Sequence, residues 1–210
     1  MTRLFLIRHG DTAWNVEEIF RGRADVELNE MGIKQAELLA RYLADENIVA
    51  IYSSPLKRAL KTAKIIAVSH HINVIPAAEL IDFDYGEWQG LSHDTIKEKY
   101  QVLYAEWLNN PQLVQVPKGE SLDDVRRRVL RLVDQVTAKH EDTIALVSHR
   151  VVGKVLICAL LGLDNSHFWN IRLDTCGITT FTYESNRFVL TKHNETSFLR
   201  PLGGVTLGDF

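Results

Sequence analysis

The sequence predicts an α/β fold in three layers, α/β/α, with a mostly parallel central sheet, helices on both faces and a small lid excursion. Three observations predict it. Short apolar runs alternate with segments of helical period along most of the 210 residues. The runs ending at Ile7, Tyr52 and Val147 each stop at polar residues that open the next helix. The alternation breaks once, over about residues 79–118, and then resumes.

Taken in order, Leu4-Phe5-Leu6-Ile7 is a buried strand ending in Arg8-His9-Gly10, with Asp11 or Thr12 able to cap the next helix. Residues 12–30 read as a short helix and a loop. Asn29 is placed to N-cap a helix carrying Ile33, Ala36, Leu39, Ala40 and Leu43 to about Asp45. Ile48 to Tyr52 is the second strand and ends in Ser53-Ser54-Pro55. Pro55 suits the first turn of a helix through Ala59, Thr62, Ala63 and Ile66. Asn73-Val74-Ile75 is a third, short strand.

The excursion opens with an acidic, aromatic, turn-rich stretch, Ile81 to Gly90. Ser92 then caps a helix with Ile96, Tyr100, Leu103, Tyr104 and Trp107 that breaks at Asn109-Asn110-Pro111. Such a segment over one end of a sheet is a natural lid. A Ser121-capped helix comes next, with Val125, Val129, Leu132, Val133 and Val136. The strand Thr143–Val147 ends in Ser148-His149-Arg150 and leads into a helix over Val151–Leu161. Ile178–Tyr183 and Phe188–Lys192 alternate as a terminal hairpin, and Thr196–Phe210 reads as a poorly structured tail. No linker divides the chain, so one domain over 1–210 is expected.

Composition narrows the function. The chain is 46% hydrophobic with a net charge of −3, which argues against nucleic-acid or membrane-surface partners and makes any anion site local. Cys158 and Cys176 match no disulfide or metal spacing, in keeping with a reducing, cytoplasmic setting. The start has no signal-peptide pattern, and the longest apolar stretch, Val151–Leu163, is too short for a membrane span and contains Lys154. Open α/β sheets bind ligands at the carboxyl ends of their strands. Arginine beside histidine there is costly to bury without an anionic partner, and phosphate is such a partner. Two strand ends presenting the pair, at Arg8-His9 and His149-Arg150, strengthen the point, and Arg58 lies one turn into the helix after Ser53-Ser54-Pro55.

The stretch Leu6-Ile7-Arg8-His9-Gly10-Asp11-Thr12-Ala13-Trp14-Asn15 resembles the signature of the histidine phosphatase superfamily, in its phosphoglycerate-mutase-like branch. The resemblance continues through Ser53 to Ala59, Tyr85-Gly86-Glu87-Trp88-Gln89-Gly90, Lys118-Gly119-Glu120-Ser121 and Val147-Ser148-His149. It implies the phosphoglycerate-mutase-like fold and a phosphohistidine formed on His9, with Arg8, Arg58 and His149 around the transferred phosphoryl group. Backbone N–H groups at Gly10 and Gly22, Asn15 and Ser148 would complete the phosphate pocket. No metal and no cofactor are expected, and no phosphate loop or Gly-x-Ser-x-Gly elbow occurs. The family's general acid is a glutamate four residues before the glycine of its Gly-x-Trp-x-Gly motif. Here that position is Asp82, one methylene shorter, with Glu87 and Asp84 as alternatives.

Arg21, Arg150 and Lys118 stand where the family more often has uncharged residues. With Arg23 they suggest a second anion subsite, although each alone reads equally as a solvated surface charge. Tyr85 and Trp88 are candidates for an aromatic wall. Compact chains with this motif resemble the broad-specificity and α-ribazole phosphatases, so hydrolysis of a small phosphorylated metabolite is expected. A phosphoglycerate mutase using the same phosphohistidine is the alternative, and a homodimer is left open.

Overall fold

The structure, a computed structural model, describes residues 1–16 and 19–203, without the side chains of Asn15 and Val16. The seven helices of the described residues are α1 (Ala13–Val16), α2 (Glu30–Leu43), α3 (Lys57–His70), α4 (His93–Lys99), α5 (Gln101–Asn109), α6 (Leu122–Lys139) and α7 (Arg150–Leu160). Six strands, β1 (Thr2–Arg8), β2 (Ile48–Ser53), β3 (Val74–Pro76), β4 (Thr143–Ser148), β5 (Ile178–Glu184) and β6 (Arg187–Glu195), form one sheet in the order β3-β2-β4-β1-β5-β6. The first four in that order are parallel, and β5 and β6 are antiparallel additions.

Strand alternation builds the three layers. Leu4 and Leu6 of β1, with Ile144 and Leu146 of β4, enter the core beneath α6 and α7. Phe5, Ile7, Ala145 and Val147 enter the opposite core, with Ala36 and Leu39 of α2 and Ala63 and Ile66 of α3. Helix periodicity supplies the other surfaces: Val125, Val129, Leu132, Val133 and Val136 are the buried stripe of α6. The caps fall where expected. Asn29 accepts from Gly32 N–H, Ser92 from Thr95 N–H, and Ser121 forms a capping box with Asp124. The register pairs Arg8 with Ser148 and Ser53 with Val147, so the polar ends of β1, β2 and β4 meet at one edge of the sheet.

Three local expectations are corrected. The helix expected from Ser92 to Asn109 is broken at Tyr100 (φ −126°, ψ 41°). That residue gives its hydroxyl to Glu87 at 3.0 Å and sets its ring against Trp88. Pro55 lies before the first turn of α3, which starts at Lys57, and Ser54 Oγ accepts Leu56 N–H there. The tail expected from Thr196 is ordered as far as Gly203. Residues Ser197–Leu202 form a 3-10 turn whose Leu199 is buried and whose Phe198 stacks on Tyr42 of α2. Residues 204–210 lie outside the described residues.

Candidate active site

β1 delivers His9 at its carboxyl end, where the imidazole is held from two sides. Nδ1 lies 2.6 Å from Gly10 O. A carbonyl only accepts, so the ring carries its proton on Nδ1 and Nε2 is left with a lone pair. That lone pair faces Arg58 Nε, 3.2 Å away. Burial, with Arg58, His149, Arg21 and Arg8 nearby, holds the imidazole well below its ordinary value of 6.5, so it is neutral at physiological pH. The backbone that holds it is crowded. A Cβ on Gly10 would stand 2.5 Å from Gly32 O, so both positions require glycine at this close approach.

Arg58, fully buried on α3, organises the site. Its Nη1 donates to Ala24 O and its Nη2 to Gly22 O, each at 2.8 Å, and Nη2 also donates to Asp82 Oδ2 at 2.8 Å. The Asp82 Oδ1 atom accepts Phe83 N–H at 2.8 Å, so a single carboxylate oxygen turns toward the histidines. His149, at the end of β4, mirrors His9 across a 5.1 Å separation of ring centroids. Its Nε2 meets Ser54 Oγ at 2.7 Å, and its Nδ1 lies 3.4 Å from Asp82 Oδ2. Burial first, then Arg58 and Arg21, keep this imidazole neutral too. Arg8 is buried, with Nη1 donating to Leu173 O.

A histidine lone pair, three cationic or hydrogen-bonding side chains and a carboxylate thus converge at the carboxyl ends of neighbouring strands, an arrangement suited to an anion. A family model described as histidine phosphatase superfamily (branch 1) matches residues 4–196. The chain belongs to that superfamily. Phosphoserine phosphatase 1 of Hydrogenobacter thermophilus is 38% identical over 200 residues, covering 95% of each chain. Among solved structures, Bacillus stearothermophilus YhfR superposes with a TM-score of 0.90 at 30% identity, over 95% of this chain and 100% of that one. A mutant phosphoserine phosphatase of Entamoeba histolytica, in complex with phosphoserine, gives 0.86 at 32% identity, over 95% and 100%.

The remaining residues expected at this histidine phosphatase's site divide into those that gather there and those that do not. Arg21 gathers: it donates to Thr12 Oγ1 at 2.6 Å. Burial, with Arg8, Arg58 and Arg150 beside it, pushes it down to about 9, against the pull of Asp82, and it remains cationic at neutral pH. Arg150, first residue of α7, hydrogen-bonds the Tyr85 hydroxyl. Gly22 adopts φ +51° and gives its carbonyl to Arg58. The Gly10 N–H, expected to face phosphate, donates instead to Thr62 Oγ1 at 3.2 Å. The Ser148 hydroxyl is likewise spent, on Leu80 O at 2.7 Å. Asn15's side chain lies outside the described residues.

Glu87 sits apart, exposed, bonded to Lys118 at 2.8 Å and to Tyr100; these bonds hold its carboxyl below its usual range. Lys118 thus pairs with Glu87, and Arg23 with Asp84 and Glu120. Trp88 is buried in an aromatic cluster with Phe20 and Trp107, so it forms no wall. Sequence reasoning overlooked Ser54 and Thr62 as holders of the site, although Ser54 stands inside the Ser53-Ser54-Pro55 strand end. No sequence signal marked Arg128, whose guanidinium crosses the backbone of Asp82 from α6.

Proposed function

We propose that this histidine phosphatase hydrolyses a small phosphomonoester that also carries a carboxylate, of the phosphoserine class, with His9 as nucleophile and Asp82 as general acid. The carrying observation is the His9 Nε2 lone pair facing a guanidinium whose other arm holds the Asp82 carboxylate. An incoming phosphoryl group draws Arg58 Nε–H onto its own oxygens, joined by Arg8 and by His149. His9 Nε2 then attacks phosphorus in line, the ester P–O bond breaks, and Asp82 relays to the leaving oxygen the proton that the phosphate monoanion brings into the site. In the second step Asp82, now a carboxylate, takes a proton from water as its oxygen attacks phosphorus. The P–N bond breaks, inorganic phosphate leaves, and His9 is neutral again. Cationic side chains balance the charge throughout, so the reaction is expected to survive chelation.

Arg21 and Arg150 support the carboxylate. They bring two further cations beside Arg8 and Arg58, more positive charge than one phosphate requires. The relatives named for phosphoserine fit that charge balance. The loop and helices over 79–118 would serve as the lid, within one domain. Free, buried Cys158 and Cys176 favour a cytoplasmic setting, and among the described residues no helix is long and apolar enough to cross a membrane. Light scattering decides whether the chain forms a homodimer.

The test is phosphate release in chelator from phosphoserine, phosphoethanolamine and p-nitrophenyl phosphate. Wild type should prefer phosphoserine, and Arg150→Met should raise KM for phosphoserine about 10-fold, with little change for p-nitrophenyl phosphate. Equal effects on both esters would remove the carboxylate subsite. Interconversion of phosphoglycerates without phosphate release would make the enzyme a mutase.

A further inference from the structure

The segment bearing Asp82 is anchored from both of its sides. From β4, Ser148 Oγ donates to Leu80 O. From α6, Arg128 lays its guanidinium across the backbone, with Nη1 donating to Glu79 O and Nη2 to Asp82 O at 3.3 Å. The same guanidinium grips Glu120 at both oxygens, Nε to Oε1 at 3.0 Å and Nη2 to Oε2 at 3.1 Å. Glu120 Oε2 in turn accepts Asp84 N–H at 3.0 Å. Arg23 closes the ring, bonding Glu120 Oε1 and Asp84 Oδ2 at 3.1 Å each and reaching Asp82 O with Nε at 3.4 Å. The Arg128 and Glu120 side chains are only 11% and 16% exposed. A buried ion pair is a poor source of net stability, whereas a fully satisfied network selects one conformation.

From this we infer that Arg128 and Glu120 are positioning residues for the general acid. They fix the backbone on both sides of Asp82, and Phe83 N–H fixes one carboxylate oxygen. The other oxygen then has one place to be, between Arg58 and His149. A short side chain on a pinned backbone has little reach of its own. A shift of about 1 Å at the acid is worth as much as 10²-fold in rate.

The inference rests on Asp82 being the acid, and the test separates the two claims. Rates are measured on p-nitrophenyl phosphate, whose leaving group needs no proton, and on alkyl phosphates, whose leaving groups do. Asp82→Asn should lose far more on alkyl esters, and an equal loss on both would overturn the acid and leave the network without a catalytic role. Given that control, Arg128→Met should lose about 30-fold on alkyl esters and under about 3-fold on p-nitrophenyl phosphate. Glu120→Gln should lose about 5-fold, and Arg128→Lys should fall between wild type and Arg128→Met. In an Asp82→Asn background, Arg128→Met should add less than about 2-fold on either ester. Equal losses on both esters, or an undiminished loss in that background, would overturn the inference. Should Arg128→Met fail to fold, Glu120→Gln and Arg128→Lys carry the same comparison.

Discussion

His9 and His149 are built alike and held differently. Each ends a parallel strand, the two strands are hydrogen-bonded neighbours, and each ring is buried and neutral. The difference lies in which nitrogen is tied. His9 is held at Nδ1 by a backbone carbonyl, which leaves Nε2 as a lone pair. His149 is held at Nε2 by the Ser54 hydroxyl. That hydroxyl is free to donate, so the ring's proton belongs on Nδ1, beside the Asp82 carboxylate. In the proposed reading one ring attacks and the other donates, because His9 turns its Nε2 lone pair to Arg58 whereas His149 turns its Nδ1 to Asp82.

This contrast can be broken in a graded series. His9→Ala should lower phosphate release by about 10⁴-fold or more, with no ³²P retained on the protein after acid-free quench. His149→Ala removes a donor rather than the nucleophile, so kcat should fall by about 10²–10³-fold while ³²P labelling of His9 persists. Loss of labelling in His149→Ala would erase the distinction between the rings. Ser54→Ala should cost about 10-fold in kcat, because it releases only the ring's anchor. The equivalent anchor of His9 is backbone and cannot be deleted by substitution.

The smallest effect is one the two rings should share. Both imidazoles have folded-state values depressed below 6.5, so the unfolded chain binds the protons first as pH falls. Their contribution to stability is intact above about pH 6.5 and is lost below it, by about 1.4 kcal/mol per pH unit for each ring. Melting temperature should decline from pH 7 to pH 5, and His149→Gln should flatten that decline by about half of the pair's share. A slope unchanged in His149→Gln would show that the ring titrates alike folded and unfolded.

Much of this was legible in the sequence. Periodicity marked the α6 stripe and the three caps, because a buried helix face and a capping side chain are local properties of the chain. Arg8, His9, Arg58, Asp82 and His149 come together because each sits at, or one turn beyond, the end of a strand or its connecting loop. What sequence could not give was the destination of individual hydrogen bonds. Gly10 N–H and the Ser148 hydroxyl are satisfied by Thr62 and Leu80, 52 and 68 residues away. The break at Tyr100 comes from a tertiary bond to Glu87, and Leu199 is buried by a helix far upstream, without any period of its own. Lys118 and Arg23 read as surplus cations because their carboxylate partners are set by the fold and not by spacing along the chain.

The guanidinium N–H lying on the His9 lone pair has a consequence for what the enzyme ignores. An imidazole with a donor on its free nitrogen is a blunted nucleophile toward acyl esters, aldehydes and alkylating agents, none of which offers Arg58 a better acceptor. A phosphoryl group does, and by taking up the donor it uncovers the atom that will attack it. The resting site thus screens its electrophiles by charge before any chemistry begins. Imidazole-directed reagents such as diethyl pyrocarbonate should accordingly modify the exposed His71 and His167 well before His9.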